Sequence, residues 1–254
     1  MAKPYPNLMQ PSEGYVFIVT YGRSGSTLTQ SYLNSFDDVC VRGENENVLF
    51  HLFDTARRIR KSHNYKLRWR LTRKPDRTQT HKLDKLIGTP EDPWYGAEKL
   101  RLAAFSKSLC DTFVREALHL PPGTALAGFK EIRWGLAGPQ LPKYLRFIEE
   151  HFPQARFIFQ TRAWDQVAQS GWWQEHPKDD VQRLVLDNNQ HFRSFAEGQD
   201  NCLLLDYSEF AEGLDAYEKL ANFIGRPFDA EAAAAIKDRR LMHLKHSAES
   251  AAEQ

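Results

Sequence analysis

The chain has 254 residues, 41% of them apolar, a formal net charge of +1 and three cysteines. That is enough chain to bury a full core in one domain. A disulfide scaffold and a cysteine-held metal site are excluded, because Cys40, Cys110 and Cys202 are odd in number and far apart, and no window approaches the roughly 18 apolar residues that a membrane span needs.

The opening "MAKPYPNLMQPSEG" lacks the apolar core of a signal peptide, so a cytoplasmic location is expected. The run "YVFIV" (15–19) reads as a first strand and feeds "TYGRSGST" (20–27), a Gly-containing turn before a helix over 26–36. Such a turn aims several unpaired backbone N–H groups at one point and favours an anion there, a phosphate first of all. An ATP or GTP phosphate loop would carry Lys directly before the hydroxyl residue. Here that position is Ser26 and the cation, Arg23, sits inside the turn.

A second strand, "VCVR" (39–42), precedes "GENE" and a helix over 46–59. Between Arg57 and Lys85 lie twelve Lys/Arg against only Asp76 and Asp84, interleaved with His63, Tyr65, Trp69 and His81. Basic residues among aromatics suit a polyanion or a sugar, although charge runs more often mark a solvated helical surface. This block reads as a basic, mostly helical insertion at about 54–95 within a single domain spanning 1–254.

Helix 96–118 then leads to strand 125–132, helix 141–152, strand 155–161, helices 164–173 and 179–198, strand 201–207 and helix 207–225. The strands are mostly apolar rather than alternating, as for parallel strands covered on both faces, so the pattern is that of an α/β domain with a central parallel sheet. In such sheets ligands sit beyond the carboxyl ends of the strands. One pocket there would gather Arg23, Glu44, Lys130, Glu131, Arg133 and Arg162.

The Arg-Ser-Gly-Ser-Thr turn at 23–27 and "FPQARFIFQTRAWDQVAQSGWW" (152–173) together resemble the sulfotransferase family, whose donor is 3′-phosphoadenosine 5′-phosphosulfate (PAPS). "GFKEIRW" and "LLLDYSEF" are similar to that family's later strands, and the likeness covers about 15–60 and 124–225. It implies a single P-loop-like α/β domain with a five-stranded parallel sheet flanked by helices. It also implies that Arg23, Ser24, Gly25, Ser26 and Thr27 hold the 5′-phosphosulfate, while Arg162 and Ser170, two turns along the next helix, hold the 3′-phosphate. The chain departs from cytosolic relatives in having Arg23 instead of Lys and in ending "LMHLKHSAESAAEQ"; Arg239 or Lys245 would contribute to the nucleotide site or be tail charge.

The resemblance further implies PAPS-dependent sulfuryl transfer without a metal, with Glu44 as base and Glu46 second, Lys130 near the sulfonate and Arg23 neutralising the departing phosphate. Of Glu131 and Arg133, one would orient the acceptor and the other make a buried ion pair. Trp94, Tyr95, Trp134, Trp172 and Trp173 would line the acceptor cleft or belong to the core. The expected acceptor is a hydroxyl on a carbohydrate or glycolipid, and no nucleic-acid partner is expected. A kinase-like P-loop phosphotransferase and a non-enzymatic nucleotide- or polyanion-binding protein are the alternatives.

Overall fold

In a computed structural model of the protein, residues 4–73 and 85–238 are described. The tail expectations at Arg239 and Lys245, and the stretch 74–84 of the basic block, lie outside them. Five parallel strands, β1 (Tyr15–Val19), β2 (Val39–Arg42), β3 (Leu126–Glu131), β4 (Arg156–Thr161) and β5 (Cys202–Asp206), form one sheet in the order β2-β3-β1-β4-β5. This is the expected single α/β domain.

β1 shows why its run is apolar throughout. Tyr15, Phe17 and Val19 join one core cluster and Val16 and Ile18 the other, and all five are fully buried. A strand in mid-sheet with helices on both faces must be apolar at odd and even positions alike. On the first face pack α2 (Val48–Lys61), α4 (Leu102–Phe113), α5 (Leu141–His151) and α7 (Lys178–Ala196), around an aromatic centre in which Phe17 meets Phe129 and Phe152 edge to face. On the second lie α1 (Ser26–Leu33), α8 (Tyr207–Glu212), α9 (Asp215–Ile224) and a last helix over 230–238.

Within the block read as mostly helical lies α3 (His63–Arg73), latched by the buried pair Arg68–Asp92. Three elements differ from the sequence reading. The helix expected from 96 starts only at Leu102, after a turn opened by Gly96. The helix expected over 207–225 breaks at Gly213, because Asp206 and Glu209 close a capping box on the first part and Asp215 and Glu218 favour a fresh N-terminus for the second. The helix expected over 164–173 stops early: α6 (Trp164–Ala168) gives way to an extended Ser170 and a 3-10 turn, Gly171–Glu175.

Candidate functional site

The sheet order arranges the strand-end residues in a row. Glu44 follows β2, Lys130 is on β3, Arg23 follows β1, Arg162 follows β4 and Tyr207 follows β5. At about 4.8 Å per strand spacing the row spans about 19 Å.

The turn after β1 sits above a buried polar network. Thr20 Oγ1 bonds Ser24 Oγ (2.6 Å) and the carbonyl of Gln160 (2.7 Å), Gln160 Nε2 donates to the Ser24 carbonyl (3.1 Å), and Thr29 Oγ1 donates to Gln160 Oε1 (2.5 Å). Ser24 and Ser26 are buried, whereas Arg23 and Thr27 are exposed. Gly25 caps α1 in the left-handed region (φ 86), and a Cβ there would meet the Tyr207 ring at 2.3 Å. Only glycine satisfies both constraints. No side chain caps α1 and its first turn holds no acid, so its N-terminus faces outward as a donor of N–H groups and positive potential.

Arg23 also has positive φ (67), which a non-glycine residue keeps only when its surroundings enforce it. The enforcing contacts are visible: Arg23 Nε donates to Ser170 Oγ (2.9 Å), and the Arg23 carbonyl accepts from Arg162 Nη1 (2.9 Å). Arg162 also donates to Gln166 Oε1 (3.1 Å) and lies over the Tyr207 ring at 4.4 Å. Arg23, Arg162 and Ser170 therefore do come together, but Ser170 reaches the cluster from an extended link past α6, not from a second helical turn.

At the other end of the row, Glu44 is clamped. Lys130 Nζ lies 2.6 Å from Glu44 Oε1 and Arg133 Nη1 lies 3.1 Å from Oε2. Arg133 also reaches Glu46 (3.0 Å) and Glu131 (3.1 Å). Glu131 is fully buried, and its carboxylate accepts from the backbone N–H of Asn45 (3.1 Å), Asn47 (2.9 Å), Ile132 (2.8 Å) and Arg133 (3.0 Å). Burial alone would raise its pKa; the backbone donors outweigh burial and hold the carboxyl below its ordinary range. Asn47, buried with φ 52, ties the same loop to the Arg133 carbonyl (3.1 Å) and to the Tyr144 hydroxyl (3.0 Å). Glu131 thus pairs from a buried position with the partly exposed Arg133 and anchors the loop that carries Glu44.

Beside Arg133 opens a cleft of about 780 Å³, walled by Tyr21, Leu136, Trp172, Trp173 and His191. Trp172 is 48% exposed, and Trp173 Nε1 donates to the Gly22 carbonyl (3.1 Å). A Cβ on Gly22 would strike Trp172 at 2.5 Å, so the donor turn and the cleft wall are packed on one another. Of the other aromatics expected here, Trp134 is core, stacked on Phe129, while Trp94 and Tyr95 lie with α3 and the 85–99 segment, away from the cleft lining.

Several contributors were missed in the sequence. Tyr207 supports both Gly25 and Arg162. Tyr21 Oη accepts from the Arg162 N–H (2.8 Å) and bonds Asn189 Oδ1 (3.0 Å), while burial pushes its phenol up to about 12. Gln160 carried a readable signal: it is a polar residue inside the apolar strand "ARFIFQT".

A family model described as the sulfotransferase family matches residues 15–230. The chain belongs to the sulfotransferase family, enzymes that move a sulfuryl group from PAPS to an acceptor. Among solved structures, sulfotransferase STF9 from Mycobacterium avium is 14% identical, with 94% of this chain and 70% of that one covered and a TM-score of 0.45. A retinol dehydratase in complex with retinol and PAP is 14% identical, with 93% and 67% covered and a TM-score of 0.37. No curated protein matches the chain. Among the described residues no helix is long and apolar enough to cross a membrane.

Proposed function

We propose that the chain transfers the sulfuryl group of PAPS to a hydroxyl of a carbohydrate or glycolipid, with Glu44 as base. The observation that carries this reading is the lateral order of the strand ends: carboxylate, lysine, uncapped turn, arginine. PAPS, when bound, supplies an activated sulfuryl group joined through its 5′-phosphate to a ribose bearing a 3′-phosphate. The residues fit such a ligand. The N-terminus of α1, with Arg23, Ser24, Gly25, Ser26 and Thr27, offers donors for the first phosphate, and Arg162 and Ser170 offer a guanidinium and a hydroxyl for the second.

Glu44 takes the proton of the acceptor hydroxyl, and Arg133 keeps its second oxygen oriented while it does so. Lys130, adjacent on β3, neutralises charge that builds on oxygen during transfer, and Arg23 does the same from the turn. Glu46 is the weaker candidate for base, because it is exposed and held by Arg133 alone. Trp172 and Trp173 give the acceptor cleft two indole faces, which suit a sugar ring. We read residues of about 54–95 as a basic, mostly helical insertion in this one domain, and the cytoplasm as its location.

The test is calorimetric titration with 3′-phosphoadenosine 5′-phosphate against ATP, without divalent metal, on the wild type and Arg162→Ala. Tight binding of the bisphosphate, weak binding of ATP and loss of binding in the variant are expected. Preference for ATP, or binding that ignores Arg162, would overturn the donor assignment.

A further inference from the structure

A second surface gathers positive charge well away from the strand ends. Two cavities, of about 590 and 400 Å³, open on α2 and share Arg60 as a wall. The first is lined by Tyr65, Lys66, Trp69 and Arg73 of α3 and by Arg101; the second by Arg57 and Lys61 of α2 and by Lys143 and Arg146 of α5. Glu150 is the one carboxylate in either lining, and Arg60 approaches it only to 3.9 Å. Arg57 and Arg146 are matched by Asp54 and Glu149. Lys61, Lys66, Arg73, Arg101 and Lys143 form no ion pair with a carboxylate among the described residues.

Like charges crowded without counter-charges repel, and a polyvalent anion is what relieves them. The walls between the cations are apolar and aromatic. Trp69 is 49% exposed with the Arg73 guanidinium 4.1 Å from its ring centre. The surface is concave, which suits a single chain entering a groove better than a flat lipid surface. Its relation to the candidate base is fixed by α2, which starts beside the Glu44 loop. Arg57 and Lys61 lie about 14 and 20 Å along it from Val48, at about 1.5 Å per residue.

We propose that this double groove binds a stretch of anionic glycan that already carries sulfate groups, with sugar rings on Tyr65 and Trp69 and sulfates on the unpaired cations. The inference rests on the carbohydrate-acceptor reading. Each transfer adds a negative charge to the acceptor, so the reaction itself makes the charge that the groove complements, and the groove would hold modified chain while an unmodified hydroxyl occupies the cleft beside Glu44.

The full chain would be titrated with a heparin-derived hexasaccharide, its desulfated analogue, a single-stranded oligonucleotide of equal charge and phosphatidylglycerol vesicles. 3′-Phosphoadenosine 5′-phosphate would be titrated on the same samples. Expected is binding of the sulfated hexasaccharide at least tenfold tighter than any of the other three probes. The triple variant Lys66→Ser, Arg101→Ser, Lys143→Ser should lose at least tenfold for the hexasaccharide, with bisphosphate affinity within twofold. Trp69→Ala should weaken the hexasaccharide with an unchanged salt slope, since stacking releases no counterion. Equal or tighter binding of the oligonucleotide or vesicles, or a triple variant that binds as wild type does, would overturn the proposal. Failure of the bisphosphate to bind wild type would instead sink the donor reading, leaving the groove to be judged on the hexasaccharide alone.

Discussion

At the carboxyl edge of the sheet, Arg23, Lys130, Arg133 and Arg162 each have a fixed partner: a serine hydroxyl, a carboxylate, three carboxylates, and a backbone carbonyl. Around the double groove on α2 and α3, five cations have no carboxylate partner among the described residues, and Trp69 between them stands half in solvent. The contrast fits the task proposed for each region. Groups that act on reacting atoms lose rate when displaced by an ångström, so under the proposed function the strand-end groups gain from being held by second partners before any ligand arrives. Cations that attract a polymer act through a field, which survives changes of register and needs no such holding.

The comparison breaks most visibly if the strand-end cluster is not catalytic. Glu44→Gln should lower turnover at least about a hundredfold, the scale of a lost general base, with bisphosphate affinity within twofold. Retained turnover would remove Glu44 from its role and move attention to Glu46. Glu131→Gln tests the holding itself. An amide oxygen cannot replace a carboxylate that accepts from four backbone N–H groups and Arg133, so a loss of about 3 kcal/mol of stability is expected, in the range for breaking a buried pair. Turnover should fall by about tenfold through misplacement of the Glu44 loop. The pH dependence has a definite sign: the Glu131 carboxyl is depressed in the folded state, so its stabilisation is complete above the ordinary carboxylate range and is lost as pH falls through the folded value. Denaturant midpoints across acid pH should fall steeply in the wild type and less so in the variant; parallel curves would mean the carboxylate is not the group titrating.

The strands were legible because burial on both faces leaves an unbroken apolar run, and β1 and β2 coincide with the segments read from sequence. That Gly25, Arg23 and Arg162 gather at the strand ends was legible because they lie in the turn after β1 and just past β4. What the sequence hid is long-range. Tyr207 reaches Gly25 and Arg162 from the start of α8, just past β5 at one edge of the sheet, and nothing local marks it. Ser170 was placed on a helix by the segment's pattern and the family resemblance, yet its bond to Arg23, 147 residues away in sequence, goes with an extended backbone just before Gly171 at φ 59. Tertiary contacts override local propensity where a ligand site needs a particular reach. The α3 latch is of the same kind: Arg68, inside a charge run that reads as surface, pairs with Asp92, 24 residues away and beyond that run.

That latch gives the smallest expected effect on turnover and the sharpest separation of the two regions. Arg68 and Asp92 are 6% and 4% exposed, joined by Nε to Oδ2 at 2.7 Å and by a second, shorter contact, while Asp92 also accepts from the Trp94 N–H (3.0 Å). Asp92→Asn leaves a buried guanidinium without its counter-charge, a cost that breaking one element relieves more cheaply than unfolding the sheet. Hydrogen exchange in α3 should therefore accelerate while β1, β3 and β4 stay protected, and turnover with a short neutral acceptor should remain within twofold. The Arg68 guanidinium holds the Asp92 carboxyl below its usual range, so in the wild type the same acceleration should appear only under acid conditions, as pH falls through that lowered value. The hexasaccharide should bind Asp92→Asn more weakly, because Lys66, Trp69 and Arg73 all ride on α3. If turnover falls as far as hexasaccharide binding does, the two regions are one site, and the division between held and unheld cations has a different cause.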